Sequence, residues 1–251
     1  MYDDLRKRNL KTVGKKKNKK KKSGSFKKVI IVLCIAAAVC IAALYAFRRY
    51  FSVSRDVVIT GDADVVEYIL TESPNYQRSG KLAVRGLMLH SVGNPQPDAK
   101  TYADIFGSPD YTRSGVHAFI DAKTGEVYHT LPWNRVAWHC GGDGNLTHIG
   151  VEMCETDCEY YDEDGTLHIT DPVRAKKDAK TAYNSAVKLF AILAEEYDLD
   201  PLKEGVIISH NEGWESGIAS NHGDPEHYWE KIGLGYTMDG FRQDVYNRIN
   251  K

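Results

Sequence analysis

The chain has 251 residues, of which 42% are hydrophobic and 27% are charged, and its formal net charge is -1. That length suits one large domain or two small ones. The five cysteines include no Cys-x-x-Cys pair, which argues against a cysteine zinc cage. The three that follow the N-terminal region, Cys140, Cys154 and Cys158, allow at most one internal disulfide.

The net charge hides two regions of opposite sign. Residues 1–28 carry 13 Lys or Arg and only two Asp, whereas residues 51–251 carry 18 Lys or Arg and 32 Asp or Glu. A Lys-rich run such as Lys15–Lys22 can bind nucleic acid. Beside an apolar segment, however, we expect a solvated tail that lies on anionic lipid, and we expect no nucleic-acid partner.

An apolar segment, Val29–Phe47, separates the two regions and holds 19 residues without a charge. As a helix it measures roughly 28 Å, enough to cross a hydrocarbon core. Because basic flanks stay in the cytoplasm, we expect residues 1–28 to be a cytoplasmic tail and residues 50–251 to lie outside. A cleaved signal peptide is the alternative, but the run is longer than a usual signal core. We therefore predict an uncleaved single-pass anchor in the cell membrane at residues 29–47.

Residues 48–80 resemble a juxtamembrane stalk without chemistry. Apolar residues between Val65 and Leu70 predict a short helix that ends at Ser73-Pro74, and Asn75–Gly80 is turn-like. We therefore place the boundary of the main domain at residue 81 and extend that domain to residue 251.

In the first half of the main domain, the sequence predicts three strands and one helix. Leu82–Leu89 is a mostly apolar strand that ends at His90, and Ala99–Phe106 is a short helix. Gly115–Asp121 and Glu126–Leu131, joined by a Lys-Thr-Gly turn, predict a hairpin.

The next strand, Thr147–Cys154, alternates and carries an acid. Ile149, Val151 and Met153 share one face, and Glu152 shares the other with small or polar neighbours. On this strand alone, Glu152 is either exposed at an edge or directed into a site.

The C-terminal part predicts a long helix, a buried strand and a closing helix. Asp171-Pro172 begins a helix that runs to about Tyr197, and Gly240–Ile249 forms the last helix. Between them, Val206–Ile208 is a short buried strand that ends at His210 and opens into a long loop.

Two strands therefore end in a histidine, and ligands bind at strand ends in open α/β sheets. The loop after His210 adds two more histidines and Asp224. A loop histidine taken alone is more often a solvated residue than a ligand. Imidazoles together with a carboxylate are, however, the N and O ligands that zinc takes. The pattern favours a zinc site that includes His90.

The ordered set of motifs resembles a known family. The motifs are Leu-Met-Leu-His90-Ser, Val-His-Ala-Phe-Ile-Asp before the Lys-Thr-Gly turn, Ala-Trp-His139-Cys-Gly, Ile-Gly-Val-Glu152, and Ser-His210 followed by His222-Gly-Asp224-Pro. Over roughly residues 82–230 they resemble the zinc-dependent N-acetylmuramoyl-L-alanine amidases of type 2, which include the peptidoglycan recognition proteins. The resemblance implies an α/β fold in which helices flank a mixed central β-sheet, here preceded by one transmembrane helix.

The resemblance also implies roles for single residues. His90, His210 and Asp224 would be the ligands of Zn2+, and Glu152 would be the catalytic acid or base near the metal. His222 stands where some members have a catalytic Lys. Because the gap from His210 to Asp224 is long, His222 is also an alternative third ligand.

The implied activity is hydrolysis of the amide bond between N-acetylmuramic acid and L-alanine of the peptidoglycan stem peptide, outside the membrane. Aromatic residues that would line the substrate groove, if they do not simply pack, are Trp133, Trp138, His139 and Trp214. Two other functions fit the same pattern: a peptidoglycan-binding module or receptor that does not cleave, and a zinc peptidase that acts on cell-wall peptides.

Overall fold

The computed structural model describes residues 22–251, without the side chains of residues 22–26 and 48–53. The predictions for residues 1–21, the greater part of the basic tail, lie outside this range. Contacts divide the chain into two compact units, one up to Arg48 and one from Arg49 to Lys251. The first contains most of helix α1, Lys22–Ser54. Within α1, Lys27–Phe47 is long and apolar enough to cross a membrane, with a mean hydropathy of 2.9, but a signal sequence near an N-terminus has the same properties.

The second unit is built on a six-stranded sheet with the strand order β1-β4-β3-β5-β2-β8. A separate two-stranded sheet pairs β6 with β7. The strands are β1 Val65–Glu67, β2 Gly86–Ser91, β3 Ala118–Ile120, β4 Val127–His129, β5 His148–Met153, β6 Glu159–Tyr161, β7 Leu167–Ile169 and β8 Ile207–Ser209.

The large sheet is mixed. Strands β3, β5, β2 and β8 run parallel to one another, and β4 returns antiparallel to β3 as the predicted hairpin, with Ala118 opposite His129. Asp121 forms the turn of this hairpin, since its Oδ1 accepts hydrogen bonds from the backbone N–H groups of Lys123 and Thr124. The prediction of an α/β fold with a mixed central sheet is confirmed.

Six α-helices belong to the second unit in addition to the end of α1, together with a short 3-10 helix, Asp143–Leu146. The six α-helices are α2 Pro74–Arg78, α3 Ala99–Gly107, α4 Pro172–Glu196, α5 His210–Glu215, α6 Glu226–Ile232 and α7 Met238–Ile249. The predicted helices near residues 99–106, 172–197 and 240–249 correspond to α3, α4 and α7. Helix α4 begins as the sequence indicates, because the Asp171 side chain accepts hydrogen bonds from two backbone N–H groups and Pro172 follows it.

The main core lies between the sheet and α4. Ile149, Val151 and Met153 of β5 join α4 residues such as Leu189 and Phe190 in one buried cluster. Cys154, which the alternation assigns to the opposite face, joins a smaller cluster with α3. The predicted division of β5 into two faces is therefore correct, and Glu152 lies on the face away from α4.

The prediction of a helix between Val65 and Leu70 was wrong. Val65–Glu67 is β1, which pairs in parallel with β4, and the backbone bonding continues from Leu70 N to Thr130 O. The residues expected to be turn-like instead form α2, which Ser73 caps. Strand β1 depends on pairing with a segment distant in sequence, which a local apolar pattern does not reveal.

The second half of the proposed stalk is likewise part of the domain. Asp56 accepts a hydrogen bond from the backbone N–H of Trp133, and Val57 is buried in the main core. Because β1 also belongs to the large sheet, the stalk boundary at residue 80 does not hold for residues 55–80.

The loop expected after His210 begins with a helix. Helix α5 has a capping box, in which the Ser209 side chain accepts from Glu212 N and the Glu212 side chain accepts from Ser209 N. The Ser-x-x-Glu spacing at residues 209–212 was the available signal. Cysteines 140, 154 and 158 are buried and unpaired in the described chain, so the one disulfide that the count permits is not formed there.

Candidate active site

Three strands deliver the candidate residues to one end of the sheet. His90 is the fifth residue of β2, and Glu152 is its register partner on β5. On the other side of β2, β8 ends at Ser209, so His210 begins α5 beside it. Asp224 lies just before α6. The sheet thus assembles four residues that are far apart in sequence.

Two imidazoles and a carboxylate converge at this place. His90 Nδ1 lies 3.1 Å from His210 Nδ1 and 3.3 Å from Asp224 Oδ2, and His210 Nδ1 lies 3.4 Å from Asp224 Oδ1. All three side chains are buried. Donor atoms that converge at such distances can hold a cation.

Asp224 is held in the charged form that binds a cation. Burial opposes the charge, but the neighbouring His210 and His90 hold the pKa of Asp224 well below its ordinary value. The backbone N–H of Ser91 donates to Asp224 Oδ2 at 3.3 Å. Burial lowers the pKa of His90, which favours the neutral imidazole that a metal requires.

Glu152 lies beside this group and has unused hydrogen-bonding capacity. The side chain is half-buried, and its Oε2 atom is buried without a hydrogen-bond partner among residues 22–251. Burial, and then the nearby charges of Asp224 and Glu155, raise the pKa of Glu152 well above its ordinary value. A carboxyl whose pKa is raised holds a proton more strongly than an ordinary carboxylate does, which favours a role in proton transfer.

These residues fit a zinc ion. Two imidazole nitrogens and one carboxylate oxygen are zinc ligands, and three protein ligands leave a fourth tetrahedral position open. The donor atoms of His90, His210 and Asp224 all lie within 4.8 Å of one another. The unpartnered Glu152 oxygen provides an acceptor close to this group.

His222 lies next to the three converging atoms but is not one of them. Its side chain is 62% exposed, its ring stacks on His210 at 4.5 Å, and its Nδ1 is 3.7 Å from Asp224 Oδ1. The geometry therefore favours Asp224 over His222 as the third ligand, and it leaves His222 at the surface.

The aromatic residues expected in the groove have different positions. Trp133 is fully buried and stacks on His129 at 4.0 Å, so it belongs to the core. His139 is also buried and lies behind His90, with its Nδ1 2.9 Å from His90 Nε2. The interpretation of His139 as a groove residue is thus corrected. Trp138 is half-buried and Trp214 is 44% exposed, so both retain surface that a substrate can reach.

A hydrogen-bonded group behind Asp224 was not anticipated from the sequence. Glu155 is fully buried and accepts hydrogen bonds from the hydroxyls of Ser91 and Tyr161, and Tyr161 also contacts His227 Nε2 at 3.1 Å. Ser91 directly follows His90, which was the only local signal. The other members come from separate segments that only the fold brings together.

The comparisons with known proteins agree with this geometry. Residues 80–227, more than half of the chain, match the profile of the family described as N-acetylmuramoyl-L-alanine amidase. The N-acetylmuramoyl-L-alanine amidase XlyA of Bacillus subtilis (strain 168) is 36% identical over 74 residues, which are 28% of this chain and 24% of that protein. The matched segment thus spans about a quarter of the length of this relative.

Solved structures share the fold. The catalytic domain of XlyA superposes with a TM-score of 0.51 and 22% identity, over 72% of this chain and 98% of that domain. The Staphylococcus aureus hydrolase AmiA, determined in complex with its ligand, gives a TM-score of 0.55 and 17% identity over 76% of this chain and 85% of that one. With the family profile spanning residues 80–227, these results show that the chain belongs to the N-acetylmuramoyl-L-alanine amidase family.

Proposed function

We propose that this protein is a membrane-anchored, zinc-dependent amidase that cleaves the bond between the lactyl group of N-acetylmuramic acid and L-alanine of the peptidoglycan stem peptide. The observation that carries the proposal is the convergence of His90 Nδ1, His210 Nδ1 and an Asp224 oxygen beside Glu152. Membership in the amidase family gives the class of bond.

His90, His210 and Asp224 would hold the metal. A zinc ion bound there supplies Lewis acidity, which polarises a carbonyl and lowers the pKa of water. The neighbouring β2 and β5 strands fix His90 and Glu152 relative to each other, so the base needs no large movement to reach the reaction centre.

Glu152 would transfer the proton. As a carboxylate it accepts a proton from the water that attacks the scissile carbonyl carbon, and as a carboxylic acid it donates that proton to the departing nitrogen of L-alanine. The amide C–N bond breaks as the new C–O bond forms a carboxylic acid. The raised pKa of Glu152 supports this role, because the carboxyl holds the proton more strongly than an ordinary carboxylate does.

His222 and the two accessible tryptophans would act on the substrate. His222 is exposed above His210, and in the protonated form it would donate a hydrogen bond to the developing oxyanion. Trp138 and Trp214 would provide aromatic faces for sugar or peptide groups.

The location of the enzyme follows from α1. We propose that residues 29–47 remain uncleaved and anchor the protein in the cell membrane, with residues 1–28 in the cytoplasm against anionic lipid and residues 50–251 outside. The support is the length and hydropathy of Lys27–Phe47, with the 13 basic residues at positions 1–28. This topology places the amidase domain on the side where peptidoglycan lies.

A digest of purified peptidoglycan tests the activity. The full-length chain in detergent would be incubated with peptidoglycan in the presence of zinc, of a chelator, and of the chelator followed by excess zinc, and the soluble fragments would be identified by mass spectrometry. We expect free stem peptides that begin at L-alanine, lost with the chelator and restored by zinc.

Two other results would contradict the proposal. Fragments cut inside the stem peptide would identify a zinc peptidase. Absence of release, with the protein still sedimenting with the peptidoglycan, would identify a binding module.

A further inference from the structure

We propose that the dipeptide His139-Cys140, held in place by Asn145, positions both metal-binding histidines. It does so by fixing which ring nitrogen of each histidine carries hydrogen. The inference rests on the proposed metal site but not on the bond that the enzyme cleaves. In this proposal His139, Asn145 and Ser220 are positioning residues, because they act on the metal through His90 or His210 and do not contact it themselves.

The first step concerns His90. The carbonyl oxygen of His148 can only accept a hydrogen bond, and it lies 3.2 Å from His139 Nε2, so this nitrogen carries the hydrogen. In a neutral ring His139 Nδ1 is then an acceptor, and it lies 2.9 Å from His90 Nε2. His90 Nε2 must donate, which leaves His90 Nδ1 with a free lone pair.

Packing holds the His139 ring in this orientation. The residue is buried, and its Nε2 atom is fixed against the carbonyl oxygen of His148. The ring lies directly against β5, where a Cβ on Gly150 would come within 2.3 Å of His139 Cγ. Glycine at position 150 is therefore required for His139 to stand behind His90.

The second step concerns His210. Ser220 Oγ lies 3.0 Å from the carbonyl oxygen of Cys140 and 3.3 Å from His210 Nε2. The carbonyl takes the hydroxyl hydrogen, so the hydroxyl oxygen accepts from His210 Nε2–H. His210 Nδ1 is thereby left with a free lone pair, as His90 Nδ1 is.

Asn145 connects the two steps. Its Oδ1 atom accepts hydrogen bonds from the backbone N–H groups of His139 at 3.0 Å and of Cys140 at 2.9 Å, and it contacts Cys140 Sγ at 3.2 Å. One amide oxygen therefore holds the dipeptide whose side chain supports His90 and whose carbonyl supports His210 through Ser220.

These hydrogen bonds direct the free lone pairs of His90 Nδ1 and His210 Nδ1 toward the candidate metal site. With hydrogen on both Nε2 atoms, the Nδ1 atoms of His90 and His210 carry no hydrogen and lie 3.1 Å apart. A cation between them relieves the repulsion between their lone pairs. Outer hydrogen bonds of this kind fix the tautomer and orientation of metal-binding histidines, and their loss typically costs about 10- to 100-fold in metal affinity.

Zinc affinity of the full-length chain, measured in detergent by competition with a chelator, tests the proposal in two matched pairs. We expect Asn145→Ala to weaken zinc binding about 10- to 100-fold, and Ser220→Ala to weaken it about tenfold. Asn145→Asp and Ser220→Thr retain the accepting oxygen and should stay within about threefold of the original protein. Ser220 is exposed, so its variants test the proposal even where Asn145→Ala fails to fold.

The tautomers provide a readout that a merely structural role would not change. In the zinc-loaded protein labelled with 15N-histidine, we expect hydrogen on the Nε2 atoms of His90 and His210, and in Ser220→Ala a broadened or shifted His210 signal with an unchanged His90 signal. Hydrogen on either Nδ1 atom, or unchanged zinc affinity in both alanine variants, would overturn the proposal.

Failure of the proposed function would look different. A protein that shows these losses of affinity yet releases no stem peptides would keep the positioning roles and reject the amidase activity. A protein that binds no zinc before any substitution would reject the metal site and, with it, the positioning roles.

Discussion

His90 and Glu152 are register partners on the adjacent parallel strands β2 and β5. Leu87 and Leu89 of β2, like Ile149 and Val151 of β5, point into the core under α4, so His90 and Glu152 both leave the sheet on its other face. A proposed metal ligand and a titratable carboxyl are thus fixed side by side by backbone pairing. This arrangement separates metal binding from proton transfer and makes each testable alone.

Glu152→Gln should abolish proton transfer and leave zinc binding intact. Glutamine has the same shape but cannot take a proton from water, and general-base catalysis contributes about 10²- to 10⁴-fold to rate. We therefore expect a loss of that size in the release of stem peptides, with zinc content unchanged. The protein should stay folded, because the substitution removes a buried carboxyl whose pKa burial has raised.

The measurement for this variant pairs fragment release with metal analysis of the same sample. Glu163→Gln, a substitution of an exposed residue in the turn between β6 and β7, serves as the matched control and should keep full activity. Normal turnover in Glu152→Gln would remove Glu152 from the role of base.

Asp224→Ala and His222→Ala should separate the third ligand from its neighbour. Asp224 is buried and its oxygens face both histidines at 3.3 and 3.4 Å, whereas the His222 side chain is 62% exposed. We expect Asp224→Ala to lose zinc during dialysis, and His222→Ala to retain zinc but lose activity. Retained zinc in the first variant and lost zinc in the second would reassign the ligand.

The candidate site was predictable from the sequence because its residues stand at strand ends. His90 and His210 each stand where an apolar run stops, and the alternation in β5 assigned Glu152 to a polar face. Hydrogen bonds between distant segments were not predictable in the same way. His139 was expected in the groove because sugars and peptides stack on aromatic rings, and only the packing against Gly150 shows that it stands behind His90.

The secondary structure likewise divides into elements that adjacent residues predict and elements that depend on pairing with a distant segment. Helix α4 was predictable because Asp171 and Pro172 mark its start and its apolar face repeats over seven turns. Strand β1 has only three residues, Val65–Glu67, and it exists because β4 is available to pair with it. Its Val-Val pair fits a helix face equally well, so a short window could not distinguish the two structures.

His117 should make stability depend on pH. Its Nδ1 accepts from Gly150 N at 3.0 Å and its Nε2 donates to Arg135 O at 2.8 Å, so the buried ring is neutral. Burial lowers the pKa of His117 from 6.5 to about 4. The unfolded chain therefore binds a proton at a higher pH than the folded chain. The free energy of unfolding should fall as the pH drops from 6.5 to 4, by about 3 kcal/mol for this group.

Urea unfolding of metal-free protein at pH 7.5 and pH 4.5 measures this effect. Other buried histidines also lower stability in acid, so the His117 contribution is the difference in pH dependence between the original protein and His117→Gln. We expect a shallower decline in the variant. The same substitution at His168, a 40% exposed side chain on β7, is the control. Equal declines for His117→Gln and the original protein would show that His117 has no part in the acid response.

Trp138→Ala and Trp214→Ala should weaken substrate binding more than turnover. Both side chains retain accessible surface, and neither is among the converging ligands. Loss of a contact that is equal in the ground state and the transition state raises KM and leaves kcat unchanged. We expect a rise in KM of about 10-fold for each variant, the loss of about 1.4 kcal/mol of binding. The exposed Leu202, on a turn, provides the control Leu202→Ala. A fall in kcat at constant KM would place either tryptophan at the reacting bond.

The orientation of the membrane anchor can be tested with reporters. If residues 29–47 span the membrane with the basic tail inside, alkaline phosphatase fused after Lys251 should be active, and a green fluorescent protein fused there should stay dark after export. The same fluorescent protein fused before Met1 should fluoresce, which provides the control for expression. The 13 basic residues at positions 1–28 outweigh Arg48 and Arg49 on the other flank, and this asymmetry gives the expected direction.

The size of the chain in the membrane fraction decides between an anchor and a signal peptide. A full-length band supports the anchor, whereas a shorter band that lacks the tail and appears in the soluble fraction would show that residues 29–47 are removed.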